Sequence, residues 1–427
     1  MTFQSTNSRE RWHSKPFHDV GIIIAIALLL FIAGCSNDRG THLIGPTFGD
    51  DIEFLQRQTE IVRLSTSDGS GQVAIAPKLQ ARVMTTSSAG DSGRSYGWIN
   101  KELFEAGADT SAAINAFGGE DRFWLGPEGG QFSLYHRPGA SFTLDNWFVP
   151  RLLDIEPFDL AEQSTHQATF VREASLQNYG GFQFDFQIRR KIRVLEEDDI
   201  IRLLDLSDLE QIASVGFETT NVVTNTGSRT WKRDSGLLSI WLLGMFKASP
   251  EVTVLIPFEE GPKESQGPIV NDSYFGKVPE NRLLTSDGVL FFRGDAEFRS
   301  KIGLSPYRAK DIMGSYDAAN RVLTVVRFNK PNGVTTYVNS MWEIQEDPYS
   351  GDVINSYNDG PPEPGAAQLG SFYELESSSP AVELEPMAFL IHIQQTYHFE
   401  GEESALNNIT ETVLGVSLDE IKTVFVN

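Results

Sequence analysis

The sequence predicts an all-β fold, and three observations favour it. Short segments of alternating apolar and polar residues recur along most of the 427-residue chain, separated by turn residues about every ten positions, which is typical of antiparallel sandwiches and barrels. The composition is globular, with 40% hydrophobic and 11% aromatic residues, enough for a large core. Helical periodicity is confined to a few stretches. We therefore expect an all-β protein with few short helices.

The first 34 residues carry the features of an export signal. Three basic residues precede an apolar run over 20–31, and small residues follow up to Cys35. The run is shorter than the roughly 18 residues that a membrane span needs, and this order of features is typical of a signal peptide. The segment Ile32-Ala33-Gly34-Cys35 resembles a bacterial lipobox, so Cys35 is predicted to be lipidated. The alternative is an ordinary N-terminal anchor helix with an incidental cysteine.

Cys35 is the only cysteine of the chain, so it cannot form an internal disulfide. A lipid on Cys35 would tether the protein to a membrane without spanning it. Ser36 after the cysteine resembles lipoproteins sorted to an outer membrane. We predict a signal peptide over 1–34, a tether over 35–49 and a single β domain over 50–427, held in the cell envelope at a membrane, the outer one, facing the periplasm or the exterior.

Charge and motif content exclude several functions. The net charge of −23 opposes binding to phosphate backbones, so no nucleic-acid partner is expected. His392 and His398 are six residues apart, about 20 Å along a strand, so they cannot hold one metal ion together; we expect no metal and no cofactor. The His-Glu-x-x-His motif is absent from the sequence, which argues against zinc proteases of that type. The one Gly-x-Ser-x-Gly match, Gly93 to Gly97, follows the largely polar run Thr85 to Ser92 and not the apolar strand that precedes a serine-hydrolase elbow, so a serine hydrolase is not expected.

The individual elements follow from the local patterns. A first helix or the approach to a strand is expected within Thr47 to Arg63, and helices over Asn100 to Ala106 and Leu237 to Phe246, the latter apolar all round and therefore buried. Strands are predicted at Gln72–Ala76, Leu79–Met84, Gln131–Tyr135, Ala168–Arg172, Phe182–Val194, Phe217–Asn225, Val252–Ile256, Val289–Phe292, Arg321–Phe328, Thr335–Trp342 and Phe389–His398.

The strongest candidate for a site is the strand-like segment that starts at Phe372. Residues two apart on a strand share a face, so Glu374 and Glu376 should lie on one side, about 6.6 Å apart along the strand, with Tyr373 and Leu375 on the other. If Leu375 packs in the core, both carboxylates point into a cleft or into solvent. A pair of acids on a solvated face is the alternative.

Two further clusters could contribute to a ligand site. The glycine-rich segment 115–130 contains Arg122 and Trp124, which could line a ligand rim by hydrogen bonding and stacking; a tight hairpin with a buried Arg–Glu pair is equally compatible. The segment 353–360 contains Asn358 and Asp359, residue types that serve turns as often as ligands. Its acids lack the spacing of a calcium loop. A Gly/Pro-rich loop over 359–365 follows, beside the Phe372 strand.

Several short motifs resemble the galactose mutarotase-like (aldose 1-epimerase) superfamily. The C-terminal run from Leu375 to Pro386, with the later Thr396, Tyr397 and Phe399, is similar to its last strands. The run Val222-Val223-Thr224-Asn225-Thr226-Gly227 resembles its strand ending in Thr-Asn-x-Gly. More closely, the chain resembles an uncharacterised group of lipobox-bearing bacterial proteins in that superfamily.

This resemblance implies a β-supersandwich with a sugar cleft, and hence a carbohydrate partner. It implies that Glu376, or failing that Glu374, is the base that takes the anomeric hydroxyl proton. Arg122 would bind substrate. The other residues expected in the cleft are Trp124, Trp241, Asn358 and Asp359.

The chain departs from the family at the catalytic acid. The segment Ser235 to Leu242, where the resemblance expects a histidine, contains none. His136 is the candidate replacement, although a structural role suits it too. Two functions therefore stay open: an exported, lipid-anchored protein that binds or processes a sugar or glycan in a mutarotase-like cleft, or a catalytically silent structural or interaction lipoprotein of the cell envelope. Glycoside cleavage is a minor variant, because its two acids normally flank the bond from opposite sides.

Overall fold

The computed structural model describes residues 45–363 and 365–426. This part of the chain consists of antiparallel strands with short helices, so the predicted all-β class is confirmed. The helices are α1 Phe48–Gln58, α2 Lys101–Ala106, α3 Arg151–Asp154, α4 Glu197–Leu204, α5 Lys263–Gln266, α6 Glu403–Leu414 and α7 Leu418–Thr423. The strands are β1 Val62–Ser65, β2 Gln72–Ala76, β3 Arg82–Ser87, β4 Arg122–Gly126, β5 Asp159–Gln163, β6 Gln167–Gln177, β7 Gln183–Leu195, β8 Ile212–Asn225, β9 Ser239–Lys247, β10 Val252–Pro257, β11 Leu283–Ser286, β12 Val289–Arg293, β13 Ser300–Leu304, β14 Ile312–Asp317, β15 Val322–Phe328, β16 Ile354–Asn358, β17 Phe372–Ser378 and β18 Phe389–Gly401.

The strands form one large sheet and two smaller ones. The ten-stranded sheet has the order β11-β12-β10-β14-β15-β18-β8-β7-β6-β5, and the five-stranded sheet the order β13-β16-β17-β9-β4. A three-stranded sheet, β1-β2-β3, comes from the N-terminal part. The long pairing of β8 with β18 joins segments about 170 residues apart in sequence at the centre of the large sheet.

The main core lies between the ten-stranded and the five-stranded sheet. Alternate residues of the small sheet, such as Phe123, Leu242 and Leu375, are fully buried there and pack against the large sheet through residues such as Phe186 and Val254. Because side chains alternate along a strand, the intervening residues of β4, β9 and β17 face away from this core. That outward face of the five-stranded sheet carries the candidate site.

Helices cover the opposite face of the large sheet. Apolar residues of α4, α6 and α7, among them Ile200, Leu406 and Ile421, are buried against strand residues such as Leu323 and Phe399. These helices leave the β5–β7 end of the sheet uncovered, where β5 is exposed throughout and exposed or half-buried residues alternate with buried ones along β7. Helix α1 begins at Phe48 after a capping box formed by Thr47 and Asp50, as its Thr-x-x-Asp spacing favours.

Three of the predicted elements are wrong. The segment Leu237 to Phe246, predicted as a helix, is strand β9; it is apolar all round because it is an inner strand with both faces covered, which periodicity alone cannot distinguish from a buried helix. The segments Gln131–Tyr135 and Thr335–Trp342, predicted as strands, are irregular apart from isolated bridges. Trp342, at the end of the second segment, is a loop residue of the candidate site.

The predicted signal peptide, Cys35 and the tether up to residue 44 lie outside the described residues, so their assignment stays a prediction. Across residues 45–363 and 365–426, none of the helices combines the length and the apolar character that crossing a bilayer requires.

Candidate functional site

A cavity of about 320 Å³ lies on the outward face of the five-stranded sheet. All five strands, or the residues directly flanking them, contribute to its floor, and loops form its rim. The floor residues are Arg122, Trp124, Trp241, Leu243, Met245, Arg299, Lys301, Tyr357, Phe372 and Glu374, and the loop residues are Ala113, Ile114, Glu128, Leu144, Trp147, Phe275, Trp342, Asp359, Gly360, Pro362, Ala367 and Leu369.

The strand register brings the charged residues of the floor together. Directly paired residues on neighbouring strands share a face, and Glu374 pairs with Tyr357 on one side and Met245 on the other. Tyr357 in turn pairs with Lys301. Glu376 lies one row along, opposite Leu243, which pairs with Arg122. Four charged residues from three distant parts of the sequence thus occupy two adjacent rows of one sheet face.

These four residues form two ion pairs that cross between the rows. Arg122 Nη2 pairs with Glu374 Oε1, and both side chains are buried. Lys301 Nζ lies 3.0 Å from Glu376 Oε2, which also accepts a 2.9 Å hydrogen bond from Trp241 Nε1. The predicted alternation of β17 is observed: both glutamates face outward from the core, while Tyr373 and Leu375 are buried between the sheets.

The two glutamates differ in their access to the cavity. Glu374 belongs to its lining, whereas Glu376 is fully buried beneath Lys301 and Trp241 and is not among the lining residues. The Glu376 Oε1 atom has no hydrogen-bond partner among the described residues. Glu374 is therefore the carboxyl group of β17 that a ligand in the cavity would contact, and Glu376 holds Lys301 in place.

Burial shifts the titration of the charged groups. Desolvation raises the pKa of Glu374 to about 8, although Arg122 favours its ionised form. It also raises the pKa of Glu128, against the influence of Lys301. Burial would lower the pKa of Lys301, but the carboxylates of Glu376, Glu128 and Glu374 outweigh it and the pKa is raised. With a pKa of about 8, Glu374 holds a proton near neutral pH and can exchange it with a ligand.

Four tryptophans line the cavity. Trp124 and Trp241 come from the floor and meet edge to face at 5.4 Å between ring centroids, while Trp147 and Trp342 come from loops and stack at 6.1 Å. The Lys301 ammonium lies 4.6 Å from the Trp241 ring centroid. Aromatic faces beside a small set of charged groups are typical of sites that hold a compact ligand with both apolar and polar surfaces.

The structure brings most of the predicted site residues together. Glu374, Arg122, Trp124, Trp241 and Asp359 line one cavity. The hairpin alternative for Arg122 differs from the structure in one respect: its carboxylate partner is Glu374, 252 residues away, and not an acid of its own segment.

Besides Glu376, two predicted residues are not brought to the cavity. Asn358 is fully buried and pairs with Tyr373, which points between the sheets; its amide bonds Asp295 and the backbone of Ala296 and Phe298. His136 is buried and is not part of the cavity lining. Its Nδ1 lies 3.1 Å from Ser133 Oγ, and burial lowers its pKa, so it is poorly suited to donate a proton.

Sequence reasoning missed three charged residues of the site. Lys301 is the only charged residue of the strand Ser300–Leu304, and a buried cation needs a charged partner. The sequence does not give the strand register, so it could not identify Glu376 as that partner. Arg299 and Glu128 could not be identified, because the sequence around each residue does not predict which strands it contacts. Among the described residues, we find no cluster of three or more His, Cys, Asp or Glu side chains placed to hold a metal ion.

Comparison with protein families places this site in context. The family model described as "Family of unknown function (DUF6786)" matches residues 46–425. The chain belongs to this family. A search of the curated proteins finds no match.

The structural neighbours of this DUF6786 chain are galactose mutarotase-like and putative aldose 1-epimerase proteins. A putative aldose 1-epimerase from Escherichia coli K12 is 11% identical, with a TM-score of 0.47 over 80% of this chain and 99% of the other. A galactose mutarotase-like protein from Lactobacillus casei is 11% identical, with a TM-score of 0.44 over 80% and 100%. The Slr1438 protein from Synechocystis is also 11% identical, with a TM-score of 0.47 over 81% and 96%.

Proposed function

We propose that the protein binds a carbohydrate in the cavity of the five-stranded sheet and catalyses proton transfer at its anomeric centre. One observation carries this proposal: the cavity wall combines two carboxyl groups of raised pKa, Glu374 and Glu128, with four tryptophans. A sugar ring has apolar faces and a polar edge, so it can stack on indoles while its hydroxyl groups reach carboxyl oxygens.

The size of the site supports a small sugar or the end of a glycan. A cavity of about 320 Å³ is at the lower end of the range of ligand pockets. Leu144 and Leu369 at its rim are 51% and 47% exposed, so the site opens to solvent beside an apolar edge. A ligand can therefore enter the cavity from this side without breaking the two ion pairs.

The proposed chemistry is ring opening and reclosure. One group takes the proton of the anomeric hydroxyl, a second gives a proton to the ring oxygen, and the bond between C1 and the ring oxygen breaks to give the open-chain aldehyde. We assign proton donation to Glu374, because its raised pKa keeps it protonated and Arg122 stabilises the carboxylate that is left. Glu128, beside Lys301, accepts the other proton. Reclosure on the other face of the carbonyl returns both protons.

These roles differ from the sequence-based assignment of Glu376 as the base. Glu376 is separated from the cavity by the groups that it binds, Lys301 and Trp241. Its role in the proposal is to position the Lys301 ammonium beside Glu128, where the positive charge favours the ionised carboxylate.

The alternative function is binding without chemistry, or a structural role. It is supported by the ion pair that already engages Glu374 and by the cavity lining, which contains no histidine among the described residues. Either property would leave the fold and the aromatic wall intact while removing catalysis.

Polarimetry of freshly dissolved α-D-glucose and α-D-galactose separates these functions. We expect the wild-type protein to accelerate mutarotation, and Glu374→Gln and Glu128→Gln each to lower the rate by about 100-fold or more, the usual contribution of a general acid or base. Glu53→Gln on the exposed face of α1 is the matched control and should retain full activity.

Tryptophan fluorescence supplies the independent readout of binding. A sugar-dependent change without any rate acceleration would leave a binding protein only. The absence of both signals for neutral and acidic sugars alike would overturn the proposal and favour a structural role.

We further propose that the protein is exported and anchored by a lipid on Cys35. The lipobox-like segment before this residue supports the proposal. Fractionation of cells that express Cys35→Ser tests it: the variant should leave the membrane fraction, and a variant that stays with the membranes would contradict lipid anchoring.

A further inference from the structure

The cavity contains three cationic side chains, and they are not equivalent. Arg122 and Lys301 are each held in a buried ion pair with a glutamate. Arg299 lies half-buried at the edge of the floor and makes no ion pair within the described part of the chain. Its one hydrogen bond there runs from Nε to Tyr357 Oη, at 3.3 Å.

Asp359, which interacts electrostatically with Arg299, already has hydrogen-bond donors on both carboxylate oxygens. Its Oδ1 accepts a 2.7 Å hydrogen bond from Tyr357 Oη, and its Oδ2 accepts a 2.8 Å bond from the backbone of Gly370. Asp359 therefore fixes Tyr357 and the start of the β17 strand and does not neutralise Arg299 directly.

The guanidinium of Arg299 is also oriented. Its central carbon lies 3.9 Å from the centroid of the Phe275 ring, so the group is sandwiched between an aromatic ring and a tyrosine hydroxyl. Both Phe275 and Arg299 line the cavity. An oriented, uncompensated guanidinium presents its two terminal nitrogens as a planar fork, and that fork matches the two oxygens of a carboxylate.

We propose that Arg299 selects sugars that carry a carboxylate, the hexuronates, over their neutral counterparts. This inference rests on the proposed function and names the substrate class of the same site. Lys301, two residues along the chain and therefore on the same strand face, adds a second positive charge to the path of the carboxylate.

The titration of the surrounding acids supports this assignment. Burial raises the pKa of Asp359, of Glu128 and of Glu374. Each shift favours the uncharged form of the carboxyl group. The wall therefore repels an anionic ligand less than the net charge of −23 of the whole chain suggests.

Fluorescence titration of the wild-type protein with galacturonate and galactose, and with glucuronate and glucose, tests the inference. We expect each hexuronate to bind about tenfold more tightly than its neutral partner, since a charge-assisted bidentate pair replaces water contacts. Arg299→Gln should remove that preference by weakening hexuronate binding far more than the binding of the neutral sugars, so that the ratio of the two affinities approaches one. Arg299→Lys, which keeps the charge and loses the fork, should retain part of it.

Arg57→Gln, which removes one exposed arginine of α1, is the charge-matched control and should keep the full preference. Equal affinity of the wild type for acidic and neutral sugars, or a preference that survives Arg299→Gln, would overturn this inference while the proposed function stands. Binding of neither kind of sugar would overturn the proposed function itself, and the inference with it.

Discussion

Asp121 and Arg122 are neighbours in sequence, yet they belong to two charge networks on opposite faces of the five-stranded sheet. Asp121 points between the sheets, where its Oδ1 lies 2.5 Å from Arg190 Nη2 and its Oδ2 accepts hydrogen bonds from Thr219 and Gln394. Both charged groups are completely buried. Arg190 also donates to Asn221 and to the backbone of Ala81, so every polar group of the pair has a partner.

The network on the cavity side is incomplete by comparison. Arg122 Nε, Trp124 Nε1 and Glu376 Oε1 have no hydrogen-bond partner within the described residues. Unsatisfied buried polar atoms cost free energy, and the inter-sheet network shows that this sheet can satisfy its charges fully. The face of the five-stranded sheet that packs against the large sheet therefore uses its charges for stability. The cavity face has polar atoms without hydrogen-bond partners among the described residues, and these atoms can bind a ligand.

The largest expected effect is on the inter-sheet network. Asp121→Asn would leave the Arg190 charge buried without a counter-ion, and we expect a loss of about 3–5 kcal/mol in the free energy of unfolding. Urea denaturation followed by circular dichroism measures it. Asp109→Asn, at an exposed loop aspartate whose carboxylate accepts hydrogen bonds only from Ser111, is the control. An equal loss of unfolding free energy in both variants would show that the buried ion pair contributes no more to stability than an exposed aspartate does.

A smaller loss of stability is expected on the cavity side. Glu376→Gln removes the counter-ion of Lys301, but Lys301 lines the cavity and water can reach it there. We therefore expect about 1–3 kcal/mol, less than for Asp121→Asn, in the same denaturation experiment. If Glu376→Gln lowers the free energy of unfolding more than Asp121→Asn does, the distinction between a fully hydrogen-bonded network between the sheets and an incomplete one at the cavity is wrong.

The aromatic rim should affect binding and leave stability nearly unchanged. Trp342 comes from a loop and is partly exposed, so Trp342→Ala should lower the affinity for a bound sugar about tenfold by removing apolar contact. Isothermal titration calorimetry measures this change. Phe389→Ala removes an aromatic ring that is 60% exposed and does not line the cavity, and it should bind sugar like the wild type.

The two regions should also differ in the pH dependence of their contributions to stability. Burial between the sheets lowers the pKa of His392 to about 3, so the unfolded chain binds the extra proton and stability falls as the pH drops below about 6.5. Glu374 acts in the opposite direction: its pKa is raised to about 8, so the folded chain holds the extra proton and stability falls as the pH rises from about 4.5 to 8.

Each slope is at most one proton, about 1.4 kcal/mol per pH unit. Denaturation midpoints measured across pH should show the acid slope flattened in His392→Gln and the alkaline slope flattened in Glu374→Gln. An alkaline slope that persists in Glu374→Gln would assign it to another group.

Part of this contrast could be predicted from the sequence. The alternation of Phe372–Ser378 correctly separated Glu374 and Glu376 from Tyr373 and Leu375, because a strand has a period of two. The same rule could not place Asn358, since the phase of β16 is known only from its pairing with β17. Strand β9 was predicted as a helix because the cavity and the core each require apolar residues, which removes the alternation.

The charge partners were beyond sequence reasoning. The Arg122–Glu374 pair joins residues 252 positions apart, and the Lys301–Glu376 pair joins residues 75 apart. Local patterns show that each side chain needs a partner but not which one, because register and strand order decide it. Sequence reasoning therefore identified Glu374, Arg122 and the tryptophans of the floor, but it missed the cations Lys301 and Arg299.

The division of the cavity between strands and loops affects how its specificity can change. The ion pairs and two of the tryptophans are built on β4, β9, β13 and β17, whereas Trp147, Trp342 and Leu369 sit on connecting segments. Segments of this kind accept insertions and replacements without disturbing a sheet. Exchanging the loops of one family member for those of another should therefore change which ligand is bound. The ion pairs and tryptophans on the strands would stay unchanged, so this sheet is a suitable scaffold for engineering other specificities.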